Sequence, residues 1–271
     1  AELRTGGGIS GQFLELDAHS GTVTLGAAAA SSAFPTASED VYPVPSSTRD
    51  LFGDKVGRFV QNTTQTADFT VTARLASAWW QRIGHAAPDA VVSVDPLVLR
   101  ALLQVTGPIA LPDGTQLTAA DVARKLLIDP YLDLDAGAQD AYFAMAAGSI
   151  FSALLSDHAG LPDLAQAMQQ PIAEGRVSVW SAHAAEQAVI AVSEVGGRRS
   201  AMRWPDPPRS RCTSTTPRAR RWTASSMSRS QRGTKRCGAG GARDVEVAVT
   251  LTNTAPADAG RILPGADDRL R

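Results

Sequence analysis

Residues 89–108 read DAVVSVDPLVLRALLQVTGP, and this stretch decides the fold. Ala90–Val94 is short and carries three valines, the pattern of a buried strand. Asp95 then suits a helix N-cap, and Pro96 the first helical position, where no backbone N–H is needed. Leu97, Leu99, Leu102, Leu103 and Val105 supply the helix's apolar face, and Gly107-Pro108 stops it. A strand followed at once by a capped helix is the basic step of an α/β domain.

The same reading extends towards the N terminus. Asp68 can cap a helix from Phe69 to about Ile83, with Phe69, Leu75, Ala76, Trp79, Trp80 and Ile83 at helical spacing. Gln12–Leu16 and Thr22–Gly26 are strand-like runs around a small polar loop ending in Gly21, which predicts a hairpin. Between these, Ala27–Ser47 is an Ala/Ser/Pro segment without a period and reads as a surface excursion.

Towards the C terminus, Ile109–Leu111 predicts a short strand and Pro112-Asp113-Gly114 a turn. Thr118 and Asp121 fit a capping box for a helix through Leu127. Ala136–Ser156 and Leu161–Ala173 predict two more helices. Val177–Trp180 and Glu246–Asn253 alternate as strands do, the second strictly, around Val245, Val247, Val249 and Leu251. The expectation is an α/β fold with a central mixed β-sheet flanked by helices. Val91, Val94, Leu99, Leu102, Leu103, Ile109, Leu126, Ile150 and Leu154 are its expected buried residues.

The chain has 271 residues, 44% hydrophobic and 20% charged, enough to bury a core. No run reaches the ~20 apolar residues of a membrane helix. It starts at Ala1 inside a polar motif, as an excised domain would. Net charge is −1, but it is unevenly spread. Arg198–Cys237 holds eleven Arg and one Lys against one acid, Asp206, which leaves 14 basic and 26 acidic side chains elsewhere. Both cysteines, Cys212 and Cys237, lie in that block, so the remainder has no disulfide framework and no thiol metal site. The expected organisation is a main α/β domain over 1–197, an irregular basic segment over 198–237, and a returning strand with a tail over 238–271.

Several motifs together resemble a bacterial envelope family, domain of unknown function 4012. They are Glu2-Leu3-Arg4-Thr5-Gly6-Gly7, Asn62-Thr63-Thr64 with Asp68-Phe69, Asp89 to Pro96, Leu103 to Pro108, Thr118 to Val122, and Glu186-Gln187. The family usually carries an extra small residue between the Arg and the Thr-Gly-Gly, a departure that bears on the placement of Arg4. The resemblance implies an extracytoplasmic domain of a membrane-anchored parent protein, with the membrane reached only through a preceding helix. The layout is also similar, more distantly, to the LytR–CpsA–Psr proteins, which transfer lipid-linked glycopolymers to peptidoglycan. Thr48-Arg49-Asp50 echoes their Pro-Arg-Asp motif without the proline. Fold does not carry function with it.

The basic block has three readings. One is a disordered basic linker, and another is a nucleic-acid patch. The third, which we favour over both, is translation out of frame. Taking the last base of each codon with the first two of the next, Trp222-Thr223 forces Asp. Met227-Ser228 gives Val with the common serine codons. The stretch from Arg211 then allows a sequence similar to one the resembled family carries. No nucleic-acid partner is expected on this reading, and the block should be irregular and exposed.

Candidate site residues are few. Arg4 beside Gly6-Gly7-Gly8 suits an anion, because glycines let backbone N–H groups approach and Arg makes paired hydrogen bonds. The competing reading is a solvated Arg at a chain end. Asn62 and Asp68 either face a site or serve as turn residue and helix cap. Arg58, Arg74 and Arg82 either face a pyrophosphate or are solvated. Asp95 reads as an N-cap before a catalytic acid, and Trp79-Trp80 as core before a sugar platform. His19, His85, His158 and His183 have no metal spacing, so no metal site is expected.

Two functions follow. The first is a non-catalytic envelope module that binds cell-wall glycan or a partner protein. The second is a phosphotransferase acting on polyprenyl-pyrophosphate glycans, with Arg4, Arg58 and Asp68 as catalytic candidates, Arg4, Asn62 and Arg74 as ligand-binding ones, and a divalent metal as cofactor.

Overall fold

The computed structural model describes residues 8–155, 160–197, 227–237 and 243–253. Residues 8–197 belong to one compact unit, and the two C-terminal segments to another.

In the first unit, Asp95 accepts the Leu97 N–H at 2.7 Å and caps α4 (Pro96–Thr106), as its sequence predicts. Gly107 ends α4 with φ 82, a conformation that glycine adopts without strain. α4 contributes Leu103 to one buried cluster. The short pair β4 (Ile109–Ala110) and β5 (Gln116–Leu117) adds Ile109, Leu111 and Leu117. α5 (Val122–Leu127) adds Val122 and Leu126, and α7 (Ala136–Leu155) adds Ala146 and Ile150. Between them, α6 (Asp129–Asp133) packs on both α5 and α7. Each fully buried Leu or Ile here is worth roughly 1.5–3 kcal/mol.

A second cluster forms on α3 (Phe69–Arg82). Trp79 is fully buried and meets the ring of Phe34 edge-on at 6.3 Å. Phe13, on the hairpin of β1 (Gln12–His19) and β2 (Thr22–Ala30), lies 4.8 Å from Phe34. The expected surface excursion after β2 is therefore anchored at Phe34 and Ala37, both buried. One aromatic ring's apolar area outweighs the absence of a periodic pattern.

The third cluster joins α3 to a ribbon of β3 (Ala90–Val94) and β6 (Val177–Ser181). The strands are antiparallel, with Val91 opposite Trp180. Phe69 and Ala73 of α3 cover that face. α8 (Leu161–Ala173) lies along α4, and α9 (Ala184–Ile190) follows β6. Gly197 packs on α3: a Cβ there would overlap Phe69, and φ is 61.

Helices and strands mix as expected, but the sheet differs. Among the described residues the strands form four separate two-stranded antiparallel sheets, where one central mixed sheet was predicted. The burial of β3 changes accordingly. Val94 was expected inside and is 52% exposed, because this ribbon carries α3 on one face and leaves Val92 and Val94 open on the other. Leu103, Ile109, Leu126 and Ile150 are buried as predicted, whereas Val91, Leu99, Leu102 and Leu154 are half-buried.

The second unit is a hairpin, β7 (Met227–Cys237) paired with β8 (Arg243–Asn253) along its whole length. β8 is the strand its alternation predicts. β7 corrects the expectation of an irregular segment over 198–237 in its last eleven residues. A backbone ladder needs no apolar side chains, and the β-branched run of β8 favours the extended partner. Residues 198–226 lie outside the described residues.

Candidate functional site

Among the described residues, a network of four ion pairs lies where α1 (Ser46–Phe52), α2 (Lys55–Arg58) and the preceding segment meet. Arg49, on α1, donates to Asp40 and, at 2.8 Å, to Asp54. Arg58 approaches the same two acids, with Nε 3.8 Å from Asp40 and Nη2 3.7 Å from Asp54. Asp40 fits this place because residue 57 is glycine: an added Cβ would lie 2.5 Å from Asp40 Oδ1. The hydrogen bond from Arg49, then the charge of Arg58, holds the Asp54 carboxyl below its usual range. Two guanidiniums thus face two carboxylates, and the charges within the quartet cancel.

Two residues from Asp40, Tyr42 accepts a hydrogen bond from Arg74 at 3.0 Å, and the Arg74 guanidinium lies 5.9 Å from the Tyr42 ring centre. Segment 40–42 therefore meets both Arg58 and Arg74. Asn62 donates to the Lys55 carbonyl at 3.5 Å. Asp68 accepts the Thr70 N–H at 2.9 Å and caps α3. Arg4 lies outside the described residues.

The other candidates have structural partners. Asp95 both caps α4 and bonds Arg176 at 2.7 Å, tying the end of β3 to the start of β6. Trp79 and Trp80 are both buried, and the imidazole of His85 stacks on Trp80 at 4.0 Å. Neither ring is an open platform for a sugar. Glu186 and Gln187 clamp the end of β6: Ser181 donates its hydroxyl to Glu186 at 2.7 Å and its N–H to Gln187 at 2.8 Å. His183 pairs with Asp89 at 3.2 Å, and His158 lies outside the described residues. Among the described residues, no three His, Cys, Asp or Glu side chains converge as metal ligands.

An open groove of about 590 Å³ lies elsewhere, between the Pro108–Pro112 stretch and α7. Thr106, Ile109, Ala110, Gly148, Ser149 and Ser152 line it, and no charged side chain does. Arg58, Arg74 and Asn62 are not among its walls.

Asp40, Asp54 and Tyr42 were not anticipated. Asp54 stands four residues before Arg58, a spacing that signals a helical ion pair. Asp40 and Tyr42 sit in a segment without a period, so no local pattern points to them.

The model of the family described as Protein of unknown function (DUF4012) matches residues 1–131. That span bears out the resemblance carried by the motifs from Glu2 to Val122 and contains the Arg49–Arg58 quartet. No curated protein and no solved structure matches the chain.

Proposed function

We propose that this chain is a non-catalytic binding or assembly module of the bacterial cell envelope, and that it takes wall glycan or a partner protein on its surface. The observation that carries this reading is the neutral quartet of Arg49, Arg58, Asp40 and Asp54. Arg49 and Arg58 are already paired with carboxylates, and Asp68 and Asp95 are engaged in caps. The extracytoplasmic setting is what the motif resemblance from Glu2 to Val122 implies.

Retention on purified cell-wall sacculi tests this reading. Saturable binding is expected, with no release of polyprenyl phosphate from a polyprenyl-pyrophosphate oligosaccharide in the presence of magnesium. Transfer that is lost in Arg58→Ala would replace the binding reading with a catalytic one.

A further inference from the structure

We infer that β8 evolved to pair with a strand other than the β7 now written beside it, and that the reading frame is displaced through β7 and returns before Arg243. This goes beyond the proposed function and does not depend on it. The register carries the inference. Val245, Val247, Val249 and Leu251 share one face of β8, and their partners across the ladder are Lys235, Gly233, Gln231 and Arg229. Directly opposed residues of an antiparallel pair lie on the same face. Opposite its four apolar residues, the apolar face of β8 therefore meets polar or glycine positions on β7, with Met227 and Cys237 only at the ends of the ladder. The opposite face of β8, with Asp244, Glu246, Thr250 and Thr252, is polar, so β8 has the alternation of a strand with one buried side.

The contrast with β3 and β6 sharpens the point. There Val91 faces Trp180, Val92 faces Val179, and Val94 faces Val177. Apolar residues there stand opposite apolar residues. In the hairpin only one strand has an apolar alternation, as expected when the other is read out of frame. Composition agrees on the N-terminal side. Gly197 lies against Phe69, and the arginine-rich composition starts at the next residue, Arg198. In-frame chain on both sides requires compensating changes: one base gained at one border and one lost at the other.

The decisive measurement pairs genomic sequencing through codons 190–245 with peptide mass spectrometry of the protein from its source cells. The expected result is a one-base difference at each border and no tryptic peptide from Trp222 to Arg229 as written. In parallel, the chain as written and the base-corrected chain are compared by thermal unfolding. The corrected chain should unfold about 5 °C or more higher, since it regains a matched strand. An unbroken genomic frame with the written peptides present overturns the inference. Equal unfolding temperatures would overturn the claim that the restored strand is the natural partner of β8.

Discussion

The β3–β6 ribbon and the β7–β8 hairpin are both two-stranded and antiparallel, yet only the first is matched across its strands. Val91 and Trp180 pair and are covered by Phe69 and Ala73. Val247 and Leu251 stand opposite Gly233 and Arg229. Backbone hydrogen bonds form in both. The difference teaches that a ladder reports extended chain, whereas an apolar pair covered by a helix, such as Val91 and Trp180, reports a packed one. A two-stranded ribbon draws stability from whatever covers its face.

The largest test of that contrast is Trp180→Ala. It empties a buried site on β6 and should cost about 3–5 kcal/mol in denaturant unfolding. Val247→Ala in the hairpin should cost less than about 1 kcal/mol, because no apolar partner stands across from it. Equal losses would break the comparison.

Gly197→Ala comes next. The new methyl meets Phe69 at a position with φ 61, so a loss of roughly 1–3 kcal/mol is expected in the same measurement. A neutral result would mean that Gly197 does not pack tightly on Phe69.

Asp95→Ala removes a helix cap and the bond to Arg176 together, and should cost about 1–2 kcal/mol. Asp68→Ala removes a cap alone and should cost about 1 kcal/mol. Wall binding should be unchanged in both. A binding defect without loss of stability would return either acid to the functional site.

The smallest effect is a pH dependence. Asp121 bonds Lys125 at 2.9 Å and accepts the Thr118 N–H, which lowers its pKa from 3.8 to about 2. Folding thus favours the ionised carboxylate. Its contribution is complete above about pH 4 and fades as the pH falls towards 2. Asp121→Asn should flatten the fall in melting temperature across that window, and an unchanged slope would place the effect elsewhere.

Much of this was legible locally. Asp68 and Asp95 were read as caps from their place before an apolar period, and both cap. β8 follows from strict alternation, and Trp79 from its spacing on α3. Sequence alone determined these features because a cap, a helical face and a strand face depend on neighbours within a few residues. Tertiary structure alone decided that Phe34 enters the core, that Asp40 and Tyr42 meet Arg58 and Arg74, and that Val94 faces outward. Each of those depends on a partner brought close by folding, such as Trp79 for Phe34, or on which face of a ribbon another element covers. No local spacing encodes that choice, because the free energy that fixes it comes from the surface covered once the chain has closed on itself.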